Sequence, residues 1–167
     1  MRSATQSPRL VSRPRILDSS ASSGTRVVIK VVLPRGGAHD SDAELEVRVP
    51  RASSVEVSAV SADVSSRGVT GTQRLKSVSG EVTAEVSGNN SEIRSVSGDI
   101  TVRGGGEPVA LRVSSVSGSI NLSHGAGKLD VVTVSGDANL NVGDASEVRG
   151  RTTSGNFDLR AKLTRDG

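Results

Sequence analysis

Acidic and polar residues recur at one position of a repeated five-residue motif, directly after a glycine or an alanine. The residues at this position are Asp63, Glu81, Asp99, Ser119, Asp137 and Asn156. Carboxylates stacked in this way would offer oxygen ligands to Ca²⁺. However, Ser119 interrupts the acidic series, the G-G-x-G-x-D calcium-repeat pattern is absent, and Asp, Asn and Ser are common turn residues. We therefore interpret these positions as turn residues and predict no metal site and no cofactor.

Serine residues precede the glycines at an equally regular spacing and invite comparison with catalytic nucleophiles. They are Ser61, Ser79, Ser97, Ser117, Ser135 and Ser154. A serine nucleophile requires a histidine base that is held close to it. The two histidines, His39 and His124, both lie in predicted glycine-containing loops. We therefore predict surface histidines and no catalytic triad.

Acidic pairs such as Asp130 and Asp137 suggest glycoside cleavage, because paired carboxylates supply that chemistry. Sugar-cleaving sites usually also contain aromatic platforms, and this chain has no Trp and no Tyr. We predict that the protein is not an enzyme and has no catalytic residues. The absence of Trp and Tyr also argues against lectin-like sugar binding. Hydrogen-bonded contact between a ligand and a polar sheet face is still an alternative.

All of these residues belong to one repeat, whose clearest form is V-S-G-D-I. Its copies are Val60 to Val64, Val78 to Val82, Val96 to Ile100, Val116 to Ile120, Val134 to Ala138 and Thr153 to Phe157. From one Ser-Gly to the next the steps are 18, 20, 18 and 19 residues. A fixed period indicates a solenoid, in which each unit buries its apolar face against its neighbours.

Apolar residues alternate with polar ones on both sides of each Ser-Gly corner, as in Leu111-x-Val113 before it and Ile120-x-Leu122 after it. A period of two indicates strand, and the glycine permits a bend with positive φ. A coil of about 19 residues is too short for a wide three-sheet helix. The sequence therefore predicts an all-β fold: a single-chain parallel β-helix of about six coils of 18–20 residues, with a narrow interior of stacked valines.

The solenoid domain is predicted over residues 25–167, with the repeats in 55–167. Residues 25–54 are predicted to form an irregular first coil or cap, which contains the strand segments 25–34 and 43–50. At the other end, charged residues alternate with Leu and Ala after position 158. Outward charges of this kind protect the open edge of a sheet.

Residues 1–24 are rich in Ser, Pro and Arg and contain no apolar run that could build a core. This composition predicts a disordered basic tail or linker. The alternative is an arm that binds phosphate or lipid headgroups. Residues 1–25 also lack the apolar segment of a signal peptide. No stretch approaches the roughly 20 apolar residues that span a bilayer, so we expect no membrane insertion by this segment.

The composition argues against nucleic-acid binding. The net charge is +3 and the pI is about 9.9, but the basic residues of the repeats are interspersed with Asp and Glu. Aromatic residues, on which bases would stack, make up only 1% of the chain. There are no cysteines, so disulfides and thiolate metal sites are excluded.

The repeats resemble those of the bacterial DUF4097/DUF2807 β-strand-repeat proteins, which are described as candidate adhesins and read L-x-V-x-T-V-S-G-D-I-x-V. The resemblance runs from about Glu44 to Leu163 and includes the L-x-V-x-V-P segment that ends at Pro50. It implies a parallel β-helix, right-handed in that group, and no catalytic residues. It also implies export or attachment to the cell envelope, in some cases near envelope-stress genes.

The resulting hypothesis is a non-enzymatic structural or adhesin-like module of the bacterial cell envelope, located in the envelope or outside the cell. A ligand- or partner-sensing domain of an envelope-stress system is the alternative, and a carbohydrate-active enzyme is less favoured. The expected partner is a protein or a surface polymer. Self-association, end to end or face to face, is also open because solenoids have exposed strand edges and flat faces.

Overall fold

From β2 onward, two strands joined by a corner make up each coil, and the corner is Ser-Gly in every coil but the first, where Ser61 is followed by Ala62. The computed structural model describes residues 26–31, 49–88 and 90–163, and all regular secondary structure within them is β. The strands are β1 Arg26–Val31, β2 Ser54–Ser61, β3 Val64–Ser66, β4 Gln73–Ser79, β5 Val82–Val86, β6 Ser91–Ser97, β7 Ile100–Gly104, β8 Val109–Ser117, β9 Ile120–Ser135, β10 Ala138–Ser154 and β11 Phe157–Leu163.

The strands stack in two parallel ladders. The first sheet contains the strands that lead into the corners: β1, β2, β4, β6, β8 and the later parts of β9 and β10. The second sheet contains the strands that leave them: β3, β5, β7, the earlier parts of β9 and β10, and β11. β9 and β10 each run from the second sheet of one coil into the first sheet of the next. This arrangement confirms the predicted all-β, slim parallel solenoid of about six coils.

Equivalent positions of successive repeats lie directly above one another. In the first sheet, for example, Leu75 is paired with Ile93, and Ile93 with Val113. In the second sheet Val82 is paired with Ile100, and Ile100 with Ile120. Because the register is the same from coil to coil, each inward position forms a column of similar side chains.

The core between the sheets is aliphatic, as predicted. Its largest fully buried aliphatic side chains belong to Leu75, Ile93, Ile100, Ile120 and Leu140. The interior tapers next to the corners, where small polar residues take the inward position. These are Ser77, Ser95, Ser115 and Thr133, all at most 4% exposed. This buried column was not predicted from the sequence.

Gln73 is the one fully buried amide among the described residues, and it ties a loop to the stack. Its Nε2 donates to the carbonyl of Val69 (3.1 Å) and to that of Glu85 (2.9 Å). Its Oε1 accepts from the hydroxyl of Ser66 (2.8 Å). The side chain therefore satisfies three polar groups where the chain between β3 and β4 leaves the regular strand path.

Phe157, the only aromatic residue of the chain, fills the last coil. It is half-buried against the core and paired with Ala138 of the coil before. Gly150 lies across from it at a position where earlier coils carry Ile93, Val113 and Val131. A Cβ on Gly150 would come within 2.1 Å of the Phe157 ring. The large and the small residue therefore complement each other in the coil that contains β11.

The division of the chain into a tail, a first coil or cap and the repeats stays a prediction. β1 falls within the predicted strand 25–34 and pairs in parallel with β2. Of the predicted strand 43–50, only Val49 and Pro50 belong to the described residues, and they are not in a strand. The predicted tail 1–24 lies outside the described residues.

The corner glycines are required both by backbone conformation and by stacking. Gly98 has φ of 146°, and a Cβ on it would lie 2.2 Å from the carbonyl oxygen of Gly80 in the coil below. Ala62 takes the glycine position of the first corner, and its φ is not positive. Because the backbone of this corner does not need a positive φ, an alanine can adopt its conformation.

Replacing Gly98 with Val should lower the free energy of unfolding by about 2 kcal/mol or more, because a β-branched residue is strained at positive φ and would displace the Gly80 backbone. The matched change is Asp99→Asn, whose side chain can still accept the hydrogen bond that Asp99 receives from the Ser119 N–H. It should stay within about 0.5 kcal/mol of the parent. Urea unfolding measures both, and equal midpoints would contradict the role given to the corner glycine.

Replacing Gln73 with Leu should lower the free energy of unfolding by about 3 kcal/mol, because three polar groups lose their partner while the volume is kept. Thermal and urea melts followed by circular dichroism would measure the loss. Arg67→Leu, at an exposed position of the same loop, is the control and should change stability by less than about 0.5 kcal/mol. A Gln73→Leu variant as stable as this control would show that the amide contributes no net stability.

Candidate functional site

The three corner aspartates bind the backbone of the next coil. Oδ1 of Asp63 accepts from the N–H of Glu81 (2.8 Å), and Oδ1 of Asp99 accepts from the N–H of Ser119 (2.8 Å). Asp137 makes the same contact with Asn156 (2.9 Å). These acids thus clamp one corner to the next, as turn residues do. Within the described ranges no cluster of three or more His, Cys, Asp or Glu residues could hold a metal ion.

The corner serines and His124 are exposed, but the fold holds them apart. The serines lie at the corner edge of the stack, whereas His124 lies between the two halves of β9, at the opposite edge. Ile120 follows the corner directly, and the extended chain from Ile120 to His124 covers about 13 Å at about 3.3 Å per residue. The imidazole of His124 therefore lies far from the corner serine hydroxyls. A nucleophile and its base must be within hydrogen-bond distance. His39 lies outside the described residues.

The pair Asp130 and Asp137 is also separated. Asp130 and the corner residue Ser135 are five residue steps apart along β9, a span of about 16 Å. Glycoside cleavage needs carboxylates about 5 to 9.5 Å apart. Moreover, Asp130 Oδ2 lies 3.5 Å from Nε of Arg112, and Asp137 clamps the corner. The geometry therefore does not suit acid–base chemistry on a glycoside.

Charges of opposite sign alternate along the outward face of the first sheet. Four residues before each corner, the registered column reads Glu56, Arg74, Glu92, Arg112, Asp130 and Arg149, which we call the charge ladder. Within it, Arg74 Nε lies 3.9 Å from Glu92 Oε2. In-register stacking of identical repeats would place like charges about 4.8 Å apart, where they repel. The alternation avoids this repulsion in every coil.

Two further columns lie between the charge ladder and the corner. The basic column contains Lys76 and Arg94 on adjacent coils, with Ser58 and Ser114 beside them. The valine ladder follows it and consists of Val60, Val78, Val96, Val116 and Val134, whose exposed fractions are between 45% and 53%. An open groove runs along the two columns from Ser58 to Val116.

The outward face of the second sheet is polar and mostly uncharged. Its central column, which we call the amide-hydroxyl column, reads Ser65, Thr83, Thr101, Asn121, Asn139 and Asp158. Nδ2 of Asn139 donates to Oδ1 of Asn121 (3.3 Å), so neighbouring amides form part of a hydrogen-bonded ladder. A shallow groove crosses this face from Thr101 to Arg160. Hydroxyl and amide groups can both donate and accept hydrogen bonds.

These features define a slim parallel β-solenoid with flat, column-patterned faces. The model of the family described as Toastrack DUF4097 matches residues 17–166. The chain therefore belongs to the Toastrack DUF4097 family, as the resemblance of its repeats indicated, and this is not a known enzyme family. Searches of curated proteins and of solved structures gave no match. In the part of the chain that the structure describes, no helix is long and apolar enough to cross a membrane.

Sequence reasoning located the corners but missed the columns on the outward faces. The signal for the charge ladder was present, because its members stand at a constant offset of four residues before Val60, Val78 and the equivalent positions. The valine ladder was visible as part of the corner motif, but nothing in the motif shows that these valines point outward. Gln73 carried no sequence signal.

Arg112→Glu should test the charge ladder, since it places a carboxylate between Glu92 and Asp130. We expect the free energy of unfolding to fall by about 1 kcal/mol at low salt. The loss should shrink in 1 M NaCl, where the screening length is about 3 Å. Arg67→Glu makes the same change in net charge at an exposed loop position and should have little effect. Urea melts of both variants at two salt concentrations decide the question, and equal losses would contradict a role for the alternation.

Proposed function

We propose that this chain is a non-enzymatic adhesive or structural module of the bacterial cell envelope. Its working surface is the outward face of the second sheet, and its partner is a hydroxyl-rich polymer of the cell surface. The observation that carries the proposal is the amide-hydroxyl column, which repeats hydrogen-bonding side chains at the spacing of the coils. The envelope location is supported by the resemblance of the repeats to bacterial candidate adhesins.

The chemistry of this face suits an extended polymer. Donors and acceptors recur about every 4.8 Å along the stack, so a long ligand makes the same contact several times. A single exposed hydrogen bond contributes little, about 1 kcal/mol, and several in a row are needed for measurable binding. The central column is uncharged from Ser65 to Asn139, which favours neutral hydroxyl groups over phosphates or sulfates.

The resting structure supports a binding role more than a catalytic one. Of the carboxylates that sequence analysis singled out, the corner aspartates clamp corners, Asp130 lies next to Arg112, and Glu81 accepts a hydrogen bond from the Thr83 hydroxyl. The outward groups are ordered in parallel columns on open faces, whereas catalysis needs different groups that converge on one point. A face on which similar hydrogen-bonding groups recur from coil to coil matches the geometry of a surface that contacts a repetitive partner.

Co-sedimentation with purified bacterial cell-wall sacculi tests this function. The purified chain should appear in the pellet in proportion to the amount of wall material. The double variant Asn121→Ala and Asn139→Ala should reduce the retained fraction by about tenfold, because it removes two adjacent amides of the column. Asn90→Ala removes an exposed amide from a loop beside the first sheet and should bind as the parent does.

Two results would contradict the proposal. The first is a parent chain that stays in the supernatant at every concentration of wall material. The second is equal retention of the parent and of the Asn121→Ala and Asn139→Ala double variant, provided that their thermal melts agree. Soluble reducing ends that appear with time in the sacculi suspension would also overturn it, since they would show cleavage rather than adhesion.

A further inference from the structure

The three asparagines that lie on described strands stand together on the outward face of the second sheet. They are Asn121, Asn139 and Asn141, and with Ser123 they form a block of two columns on two adjacent coils, which we call the amide block. Asn is disfavoured in strands, because its side chain competes for backbone hydrogen bonds. Residues that break such a local preference mark functional or strained positions. None of the three asparagines has a positive φ, so the amide block is a candidate contact surface.

The amide block lines both walls of a furrow between two outward columns. Asn121 and Asn139 belong to the amide-hydroxyl column, which forms one wall. Ser123 and Asn141 stand two residues further along the same strands and belong to the other wall. The walls are thus about 6.6 Å apart, and neighbouring groups within one wall are about 4.8 Å apart. The shallow groove of the second sheet runs through this furrow and has a volume of about 290 Å³.

Several hydrogen-bonding atoms of the amide block are open to a ligand. Asn139 Nδ2 donates to Asn121 Oδ1 (3.3 Å), and within the described ranges neither amide makes another side-chain hydrogen bond. Nδ2 of Asn121 and Oδ1 of Asn139 are therefore the open donor and the open acceptor of a ladder of two amides. Asn141 makes no side-chain hydrogen bond to the described part of the chain, so its whole amide is open.

The amide block is uncharged, which favours a neutral ligand group. One coil further along, Asp158 and Arg160 continue the two walls. Arg160 Nη2 lies 3.8 Å from Asp158 Oδ2, so these two charges compensate each other. An anion or a cation in the block would lose part of its water shell without meeting an opposite charge among these four residues. A neutral group that both donates and accepts hydrogen bonds suits the block better.

We propose that the amide block binds the acetamido groups of an N-acetylated sugar polymer. This inference rests on the proposed function and names which hydroxyl-rich polymer the second sheet recognises. A secondary amide carries one N–H and one C=O, the same two kinds of group that an Asn carboxamide offers. Stacked amides form ladders at the strand spacing of about 4.8 Å, because each one accepts from one neighbour and donates to the next. An acetamido group can therefore extend the ladder that Asn139 and Asn121 begin.

The column offers a place for this third amide. Thr101 is paired with Asn121 on the coil before it, on the side away from Asn139. Its side chain is shorter than that of Asn, so the position that the next amide of the ladder would take is open. A ligand carbonyl at this position accepts from Asn121 Nδ2. A second acetamido N–H, further along the polymer, can donate to the open Oδ1 of Asn139 or of Asn141.

Hydroxyl groups beside the amides favour a sugar over a peptide. Thr101 and Ser123 stand in the two walls, next to the asparagines. The Ser123 hydroxyl donates to the carbonyl of Val102 (3.4 Å), and its oxygen can still accept a hydrogen bond. Ring hydroxyls can use both residues, whereas a peptide backbone has no hydroxyl to offer. The furrow thus presents amides and hydroxyls together, as an N-acetylated sugar does.

Titration of the nitrogen-15-labelled chain with the β-1,4-linked tetramer of N-acetylglucosamine tests this inference. The side-chain NH2 signals of Asn121, Asn139 and Asn141 should shift, and that of Asn90, in a loop beside the first sheet, should not. The matched ligand is the β-1,4-linked tetramer of glucose, which carries a hydroxyl in place of each acetamido group. It should bind at least about fivefold more weakly, because it lacks the amide contacts.

A change from amide to hydroxyl on the protein separates this inference from general adhesion. The double variant Asn121→Thr and Asn139→Thr extends the Thr residues that the column carries at positions 83 and 101. Its preference for the acetylated tetramer, followed by the backbone signals of β9 and β10, should fall below about twofold. Asn90→Thr is the matched control and should keep the preference of the parent. Thr suits strands, and thermal melts check that both variants are folded.

Equal affinity of the parent for the two tetramers would overturn the inference, and so would a preference that the double Thr variant retains. An N-acetylated alanine tetrapeptide amide that shifts the same NH2 signals as strongly as the acetylated tetramer would overturn the assignment to a sugar. Equal affinity combined with sacculus retention that falls in the Asn121→Ala and Asn139→Ala variant would remove this inference alone. A preference for the acetylated tetramer in a chain that never pellets with sacculi would support it and contradict the proposed function.

Discussion

The stacking of one corner directly on the next is the constraint on which the rest of this structure depends. The carbonyl of Gly80 occupies the place where a side chain of residue 98 would begin, and the carbonyl of Gly98 does the same for residue 118. Because the backbones approach so closely, one register is imposed on both sheets at every coil. The loops at the opposite edge are also closely stacked in places, since a Cβ on Gly104 would lie 2.1 Å from the carbonyl oxygen of His124, but these loops differ in length and absorb the drift of the period between 18 and 20 residues.

A common register turns each repeat position into a column, with benefits and costs. Inward columns of Val, Leu and Ile fill a narrow core with few residue types. Outward columns multiply any interaction, whether favourable or not, because the same side chain recurs about every 4.8 Å. The charge ladder avoids repulsion between like charges on adjacent coils, because Glu or Asp alternates with Arg. The valine ladder keeps its repetition, so a row of half-exposed apolar side chains runs along the first sheet beside the corners.

Two positions carry residues that differ from the repeat pattern, and at both of them the surroundings differ from those of a regular coil. Between β3 and β4 the chain leaves the regular strand path, and Gln73 supplies hydrogen bonds to the Val69 and Glu85 carbonyls and accepts one from Ser66. In the coil that contains β11, Phe157 over Gly150 replaces the usual aliphatic column. Each of these places uses a residue that does not fit the repeat, because its surroundings differ from those of the regular coils.

The sequence by itself determined the class of fold, the parallel stacking and the position of every corner from 62 to 155, because a short period, glycine and β-branched alternation are local and recur six times. It also argued against a triad at His124, since loop histidines carry no fixed partner. Only the tertiary structure decided which columns face outward together, that Asp130 and Asp137 lie far apart, and that Gln73 is buried. Those facts depend on which coil lies against which, and on the path of an irregular loop, neither of which is encoded within a single repeat.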